Sequence, residues 1–159
     1  MSNQEENKQP TSPRRAAILY GLAALVSLIG LGDAIYLTVE HLSGRSVKCT
    51  IVQGCSEVLS SSYATLNGLP LAGFGAVAYF VVFSAATLAA FGYKGAGKFA
   101  VFVSGFMFLF TLWLIYLQAF VIKAFCQFCL LSALVTTVMT VLLVLAARTR
   151  AHEPAKQAA

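Results

Sequence analysis

The chain has 159 residues, of which 58% are hydrophobic and 11% are charged. A soluble domain of ordinary composition is about 25% charged, so the composition excludes that class and indicates a membrane protein forming one compact unit. The net charge is +5, but the basic residues are spread between apolar runs. Membrane topology therefore explains the charge better than a nucleic-acid partner does, and no nucleic acid is expected.

The N-terminal segment, residues 1–15, is polar, contains two prolines and shows no apolar period. This composition predicts a disordered tail. An apolar run follows at residues 16–39. A signal peptide has an apolar region of only about 7–15 residues before its cleavage site, so this longer run favours a membrane helix.

Three more apolar runs follow, at about residues 69–91, 99–122 and 126–147. Each is close to the roughly 20 residues that an α-helix needs to span a bilayer. The four runs predict an all-α membrane protein, a bundle of four helices with both termini on one side. Residues 40–68 form the loop between the first two helices, and residues 148–159 form a second tail.

The basic residues are distributed unevenly between the two sides of this bundle. Eight lie on the side of the termini: Lys8, Arg14, Arg15, Lys94, Lys98, Arg148, Arg150 and Lys156. Three lie on the other side: Arg45, Lys48 and Lys123. Loops rich in Lys and Arg stay in the cytoplasm, so both termini are predicted to be cytoplasmic. The long loop and the turn around residues 123–125 then face outward.

All four cysteines lie on the predicted outer side. Cys49 and Cys55 are in the long loop, and Cys126 and Cys129 form a C-x-x-C that opens the fourth helix. A C-x-x-C is a common redox pair, although the same spacing occurs in zinc sites, structural disulfides and buried apolar pairs. In the first turn of a helix, the free N–H groups and the helix dipole favour a thiolate. The outer side of a bacterial inner membrane is oxidising, so these cysteines are expected to form disulfides.

Two cysteine pairs at one surface are either two static disulfides or a relay. Disulfides move by thiolate attack through a mixed disulfide, so a relay needs one pair that a soluble partner reaches and one beside an electron acceptor. The loop pair suits the first task, since Gly44, Gly54 and the serines at 60–62 give the loop mobility. The C-x-x-C at the bilayer edge suits the second, with a quinone as the bilayer-soluble acceptor. A zinc site of four thiolates is a further alternative, which an oxidising compartment opposes.

Short motifs occur along the chain in a characteristic order. They are Asp33-Ala34-Ile35-Tyr36-Leu37-Thr38 with His41, then Cys49 and Cys55, Val58-Leu59-Ser60-Ser61, Gly68-Leu69-Pro70-Leu71-Ala72 with Gly75, and Cys126-Gln127-Phe128-Cys129. Together, over about residues 16–147, they resemble the vitamin K epoxide reductase (VKOR) family in its bacterial disulfide-forming branch, without a fused thioredoxin-like domain. The resemblance implies a four-helix bundle that encloses a quinone, with a partly helical first outer loop lying over it.

The resemblance also implies a role for each cysteine. Cys49 would exchange with the partner, Cys55 would shuttle to Cys126, and Cys129 would lie next to the quinone. Ser61 matches a loop Ser or Thr near the family's site.

Further candidates for lining the quinone site are Gln118, Phe125 and Phe128; no metal is expected. The chain departs from the family at Asn67, where an aromatic residue is frequent, and at Ala133, where vertebrate members have a tyrosine. These departures bear on epoxide reduction rather than on quinone reduction.

The implied activity is that of a membrane thiol oxidoreductase in the bacterial inner membrane, with its active site facing the periplasm or cell exterior. It would reoxidise a separate periplasmic thioredoxin-fold (DsbA-like) protein and pass the electrons to ubiquinone or menaquinone. The alternative from another class is a non-enzymatic membrane protein with two structural disulfides.

Each of three ionisable residues near the outer surface allows two interpretations. Asp33 is either functional, as intramembrane carboxyls are by default, or the partner in a structural hydrogen bond. His41 either takes a proton from a thiol or quinol, or is a satisfied interfacial residue. Lys123 either lowers the pKa of Cys126 through its charge or extends its side chain to the interface.

Overall fold

The computed structural model describes residues 11–44, 54–61, 63–66, 68–93 and 95–151. Its elements in chain order are α1 (Thr11–Leu42), α2 (Cys55–Ser60), β1 (Thr65–Leu66), β2 (Leu69–Pro70), α3 (Leu71–Ala90), α4 (Ala96–Tyr116), a π-helical turn (Leu117–Ile122) and α5 (Gln127–Ala151). The prediction of an all-α bundle with a short helix in the first loop is confirmed. The hairpin of β1 and β2 pairs Leu66 with Leu69 in antiparallel register and leads the chain into α3.

Four helical segments are long and apolar enough to cross a bilayer: Arg14–Leu42, Leu71–Ala90, Ala96–Ile122 and Gln127–Ala151. Helix α1 packs against α3 and α5, and α4 packs against the same two helices. Each long helix therefore has two neighbours in the bundle, and its remaining face carries large apolar side chains on the surface, as a lipid environment favours.

Helix α1 begins earlier than the apolar run does, at Thr11, so residues 11–15 are helical and not part of a disordered tail. Pro13 is compatible with this start, because the first turn of a helix has backbone N–H groups without intrahelical acceptors and loses nothing when one is missing. Residues 1–10 of the predicted tail lie outside the described residues. At the other end of the chain α5 continues to Ala151, and residues 152–159 are outside the described part.

The larger apolar core lies toward the chain termini, in the part of the bundle that we call the termini end. Most of its fully buried side chains are small, and they include Ala16, Ala23, Ala24, Ala85, Ala86, Ala89, Ala100 and Ala146. Small side chains let helix backbones approach closely in a membrane, where apolar burial alone does not distinguish protein from lipid.

Tyr20 shows how close this packing is. A Cβ on Gly97 would collide with the Tyr20 hydroxyl, while the Arg150 guanidinium lies 5.4 Å from the centre of the Tyr20 ring. Arg150 also donates a hydrogen bond to the Ala89 carbonyl oxygen at 3.0 Å. Helices α1, α3, α4 and α5 are thus joined around one ring.

A second, smaller cluster lies at the opposite end of the bundle, which we call the cysteine end. Its buried members are Leu37 of α1, Cys55 and Val58 of α2, and Ala124 and Cys126 of the turn before α5. The short helix α2 is therefore seated on the bundle through its apolar side, beside the start of α5.

Candidate functional site

The C-x-x-C occupies the start of α5. Cys126 immediately precedes the helix and Cys129 lies in its first turn, and both are free thiols. The Cys126 sulfur accepts a hydrogen bond from the Cys129 S–H and further ones from the backbone N–H groups of Cys129 and Phe128. Cys126 therefore takes the position of a helix N-cap, with sulfur in place of the usual side-chain oxygen.

These hydrogen bonds stabilise the charged form of the sulfur. The Cys129 S–H is the largest cause, burial and the Asp33 charge oppose it, and the backbone donors add to it; together they lower the pKa of Cys126 from 9.0 to about 7. The sequence offered Lys123 as a source of this shift. The Lys123 side chain is exposed, and the groups that lower the pKa are those of the helix start itself.

The π-helical turn positions the C-x-x-C from the preceding helix. Gln118, within that turn, is buried, and its Oε1 accepts a hydrogen bond from the Cys126 N–H at 3.0 Å. A π-turn places one residue more in each turn than an α-helix does, and such turns are frequent at functional sites. The turn ends at Lys123, whose φ of 56° is left-handed. The chain thereby reverses into α5 with its first cysteine tied to Gln118.

Of the two loop cysteines, the structure describes Cys55, which is buried and disulfide-bonded. Cys49 lies outside the described residues. Gly54 has a φ of 132°, and a Cβ there would come within 3.0 Å of the Phe125 carbonyl oxygen and 3.1 Å of the Ala124 side chain. The residues that precede Cys55 and Cys126 are thus in close contact, and the two cysteines belong to the same buried cluster.

A cavity of about 440 Å³ lies between α1, α3, α4 and α5 beneath α2. Most of its lining is apolar. Its polar lining residues are Asp33, His41, Ser61, Tyr63, Tyr79, Thr111, Gln118, Ser132 and Thr136, and Cys129 also lines it. Cys126 is not among the lining residues and is fully buried. One cysteine of the C-x-x-C therefore borders the cavity, while the other is buried in the cluster that contains Cys55.

Tyr79 is the centre of a hydrogen-bond network in the cavity wall. Its hydroxyl lies 2.8 Å from the Ser132 hydroxyl and 2.7 Å from the Thr136 hydroxyl, and it donates to the Ser132 carbonyl oxygen at 3.1 Å. Its ring is pressed against Gly30, where a Cβ would collide with it. The network joins α3 to α5 one turn below Cys129.

The sequence did not single out Tyr79, Ser132 or Thr136. A signal was present, since Ser132 and Thr136 are four residues apart and therefore share one face of an otherwise apolar helix. Hydroxyl groups at that spacing in a membrane helix indicate a polar partner on the facing helix. The partner could not be identified from the sequence, because it lies more than fifty residues away on α3.

The other predicted lining residues are placed differently from one another. Ser61 and Gln118 line the cavity; the Ser61 hydroxyl donates to the Val58 carbonyl oxygen at 2.7 Å. Phe128 packs on the cysteine cluster, and its ring centre is 5.4 Å from that of Tyr36. The side chain of Phe125 is exposed, and its contact with the loop is made by its backbone.

Asp33 and His41 lie about two turns apart on α1, and both line the cavity. The cavity thus receives ionisable groups from α1 as well as the thiol from α5. Its volume lies within the roughly 300–1,000 Å³ of small-molecule sites, and a mostly apolar wall with a few convergent polar groups is typical of them. A planar, apolar ring with oxygen substituents, such as a quinone head group, fits this wall chemically.

A model of the vitamin K epoxide reductase family matches residues 22–144, a range that contains all four cysteines and most of each long helix. A search of curated proteins finds no match.

Proposed function

The chain belongs to the vitamin K epoxide reductase family and is an integral, multi-pass membrane thiol oxidoreductase; we propose that it oxidises a separate periplasmic thioredoxin-fold (DsbA-like) protein and passes the electrons to a quinone. Two electrons enter at Cys49 and Cys55, move to Cys126 and Cys129, and leave to ubiquinone or menaquinone. The net products are a disulfide in the partner and a quinol in the membrane.

The single observation that carries the proposal is the divided environment of the C-x-x-C. Cys129 borders the cavity, whereas Cys126 does not and is fully buried in the cluster that contains Cys55, against which Cys129 also packs. A relay needs one sulfur accessible to the acceptor and the other accessible to the incoming thiolate. Two static disulfides have no need of this division.

At the entry pair, the partner's thiolate attacks Cys49, and Cys55 is released as a thiolate. Cys55 then attacks Cys126 in an oxidised C-x-x-C, which forms a Cys55–Cys126 disulfide and releases Cys129. The contact of Gly54 with Ala124 and Phe125 supports this step, because it brings the two chain segments together. The partner's second thiolate resolves the partner–Cys49 disulfide, and the freed Cys49 attacks Cys55, which re-forms the Cys49–Cys55 disulfide and releases Cys126. The hydrogen bonds that stabilise negative charge on Cys126 make it a good leaving group in this last step.

At the exit pair, the reduced C-x-x-C holds its electrons beside the cavity. The residues that would hold the quinone are the apolar cavity wall together with Tyr79 and Gln118, whose polar groups can orient a carbonyl oxygen. A bound quinone supplies a two-electron acceptor at this position. The Cys126 and Cys129 sulfurs give up two electrons and close to a disulfide, which returns the pair to its oxidised state.

The proposal includes an orientation in the bacterial inner membrane. Arg14, Arg15, Lys98, Arg148 and Arg150 all lie at the termini end of the bundle, and this clustering supports cytoplasmic termini. Of the remaining basic residues, Lys8, Arg45, Lys48, Lys94 and Lys156 lie outside the described part. A reporter active only outside the cytoplasm should be silent when fused after residue 159 and active when inserted within residues 40–68; the reverse pattern contradicts the orientation.

The function is tested with the full chain in quinone-containing vesicles, supplied with a reduced thioredoxin-fold protein. Quinol formation should match partner oxidation one to one. Cys129→Ala should abolish quinol formation and accumulate a Cys55–Cys126 disulfide, detected by mass spectrometry without reductant. Adding Cys55→Ala to Cys129→Ala is the control, since it removes the sulfur that forms the linkage. If all four single cysteine variants stay fully active, the two pairs are structural disulfides and the proposal is wrong.

A further inference from the structure

Asp33 stands out among the polar groups of the cavity. It lies on α1 and lines the cavity together with Cys129 and Tyr79. Its Oδ2 is buried and has no hydrogen-bond partner, which among the described residues is true of no other buried side-chain nitrogen or oxygen. A buried polar atom without a partner is costly, so its presence in a cavity beside a redox pair indicates a functional reason for keeping it there.

The charged and titratable groups around Asp33 are few. Those that line the cavity are His41 on α1, Tyr63 after α2, Tyr79 on α3 and Cys129 on α5. No lysine, arginine or second carboxyl is among the described lining residues, and α4 and the π-turn add no titratable group. Asp33 interacts electrostatically with Tyr79 and with the thiols of Cys126 and Cys129. The carboxyl is therefore close to the redox pair, and no lysine or arginine among the described lining residues holds it as a carboxylate.

The proton count of quinone reduction leaves a place for such a group. Reducing a quinone to a quinol takes two electrons and two protons. In the reduced C-x-x-C the Cys126 sulfur is the acceptor of the Cys129 S–H, so the pair in its thiolate form holds two electrons to give but only one proton. One proton is missing, and a titratable group in the cavity wall can supply it.

We propose that Asp33 is the general acid of the quinone half-reaction, donating the second proton to a quinone oxygen from its carboxyl group. This inference rests on the proposed function. In balance, the Cys126 thiolate, the Cys129 thiol, the Asp33 carboxylic acid and the quinone give the Cys126–Cys129 disulfide, the Asp33 carboxylate and the quinol. The sulfurs lose two electrons, one proton leaves Cys129 and one leaves Asp33, and the total charge is −1 on both sides. Asp33 regains its proton from water before the next turnover.

Tyr79 is less suited to this step. Its hydroxyl is already engaged with Ser132 and Thr136, and phenol is a much weaker acid than a carboxyl group. The other carboxyls of the described chain do not compete, since Glu40 and Glu57 do not line the cavity. Glu40 lies on the same helix as Asp33, seven residues further on, and so provides a matched control.

The test compares Asp33→Asn, Asp33→Glu and Glu40→Gln with the unchanged protein. Each protein is reduced, freed of reductant and mixed with excess quinone, and quinol formation is followed in a single turnover. Asp33→Asn should slow this step about 100-fold or more, as expected for loss of a general acid. Asp33→Glu should restore part of the rate, and Glu40→Gln should leave it unchanged.

A second readout needs no quinone. At pH 5 the infrared spectrum of the reduced, quinone-free protein should contain a carbonyl band of a protonated carboxyl group that shifts in deuterium oxide. The band should be lost in Asp33→Asn and kept in Glu40→Gln. If Asp33→Asn is too unstable to purify, the band in the unchanged protein and the rate of Asp33→Glu still decide the matter.

The two hypotheses fail in different ways. If the unchanged protein does not reduce quinone at all, the proposed function is wrong. If it does and Asp33→Asn reduces quinone equally fast, or if no protonated carboxyl is found, the assignment of Asp33 is wrong and the proposed function stands.

Discussion

The two ends of the bundle are built by different rules. At the termini end, regular helices meet through alanines, and Tyr20 is held between Gly97 and Arg150 with its neighbours fully packed. At the cysteine end the backbone departs from regular geometry at the π-turn, at left-handed Lys123 and at Gly54 with its φ of 132°. The one buried side-chain oxygen without a partner in the described chain, that of Asp33, is also nearer this end.

The difference shows how a small membrane protein supports a strained site. Sparsely populated backbone conformations cost about 1–3 kcal/mol each and persist only where the surrounding structure holds them. The close packing of the termini end fixes the four helices, and the helices in turn hold the irregular segments that bring Cys55, Cys126 and the cavity together. Stability and chemistry should therefore be separable by mutation.

Among the variants that compare the two ends, the largest effect on chemistry is expected at Gln118. Gln118→Leu removes the acceptor of the Cys126 N–H and leaves that donor buried without a partner, a cost of about 1–3 kcal/mol. If loss of this hydrogen bond displaces Cys126, the rate constant for quinone reduction drops roughly 10- to 100-fold with little change in KM. Gln118→Glu, which keeps an acceptor oxygen, should recover much of it. An equal rise in KM for both variants would indicate that Gln118 binds quinone rather than orienting the cysteine.

A smaller effect is expected from Gly54→Ala. The new Cβ would require a left-handed conformation and would approach the Phe125 carbonyl oxygen at 3.0 Å, so the loop should dock less closely on the start of α5. Formation of the Cys55–Cys126 disulfide in the Cys129→Ala background should slow by about tenfold, in line with about 1–3 kcal/mol of strain. Gly68→Ala is the matched control, because Gly68 also has a positive φ but has nothing within 4 Å. If disulfide formation slows equally in both variants, backbone strain is the cause and the contact with Phe125 is not.

The termini end should respond in stability and not in thiol chemistry. Gly97→Ala forces a Cβ against Tyr20 and should lower the free energy of unfolding by about 1–3 kcal/mol, as overpacking does. Gly105→Ala on the same helix meets no atom within 4 Å and should gain up to about 1 kcal/mol from helix propensity. Thermal unfolding in detergent measures both. A change in the pKa of Cys126 in Gly97→Ala would show that the two ends are coupled.

The most subtle test is the titration of Cys126. Its pKa is lowered to about 7 chiefly by the Cys129 S–H, so the sulfur is a thiol below that pH and a thiolate above it. In the reduced, quinone-free protein, the ultraviolet absorbance of thiolate should rise with a midpoint near pH 7. Cys129→Ala removes the main donor and should move the midpoint upward, whereas Cys126→Ala should remove the transition. A midpoint near 9 in the unchanged protein would contradict the N-cap geometry.

Much of the fold could be predicted from the sequence, because the length of a membrane-spanning segment can be read from consecutive residues. Each apolar run is long enough to cross a bilayer, and the loop and the C-x-x-C follow from where the runs stop. The early start of α1 at Thr11 was missed, because polar composition alone does not prevent a long apolar helix from extending by a turn. The first and last residues of a helix depend on capping and packing, which cannot be inferred from composition.

The site could be predicted only in part. Cysteines, and a glutamine in an apolar run, are conspicuous by residue type, so the sequence alone makes Cys126, Cys129 and Gln118 candidates. The roles of the cysteines remain predictions, and Cys49 lies outside the described residues. The π-turn was not foreseeable, since residues 117–122 are apolar except for Gln118 and the hydrogen-bond donor to Gln118, the Cys126 N–H, lies beyond the turn. The Tyr79 network was missed for the same reason, as its partners come from separate helices.

The π-turn has a consequence for how this site can change in the course of evolution. An α-helix turns the chain by about 100° per residue, and a π-turn holds one residue more than an α-turn. Deleting a single residue between 117 and 122 would restore regular helix and rotate everything beyond it by about that angle, moving Cys126 away from Gln118. Substitutions along the apolar faces leave that register untouched. We therefore expect insertions and deletions between residues 117 and 122 to disrupt the site more than substitutions in the same segment do.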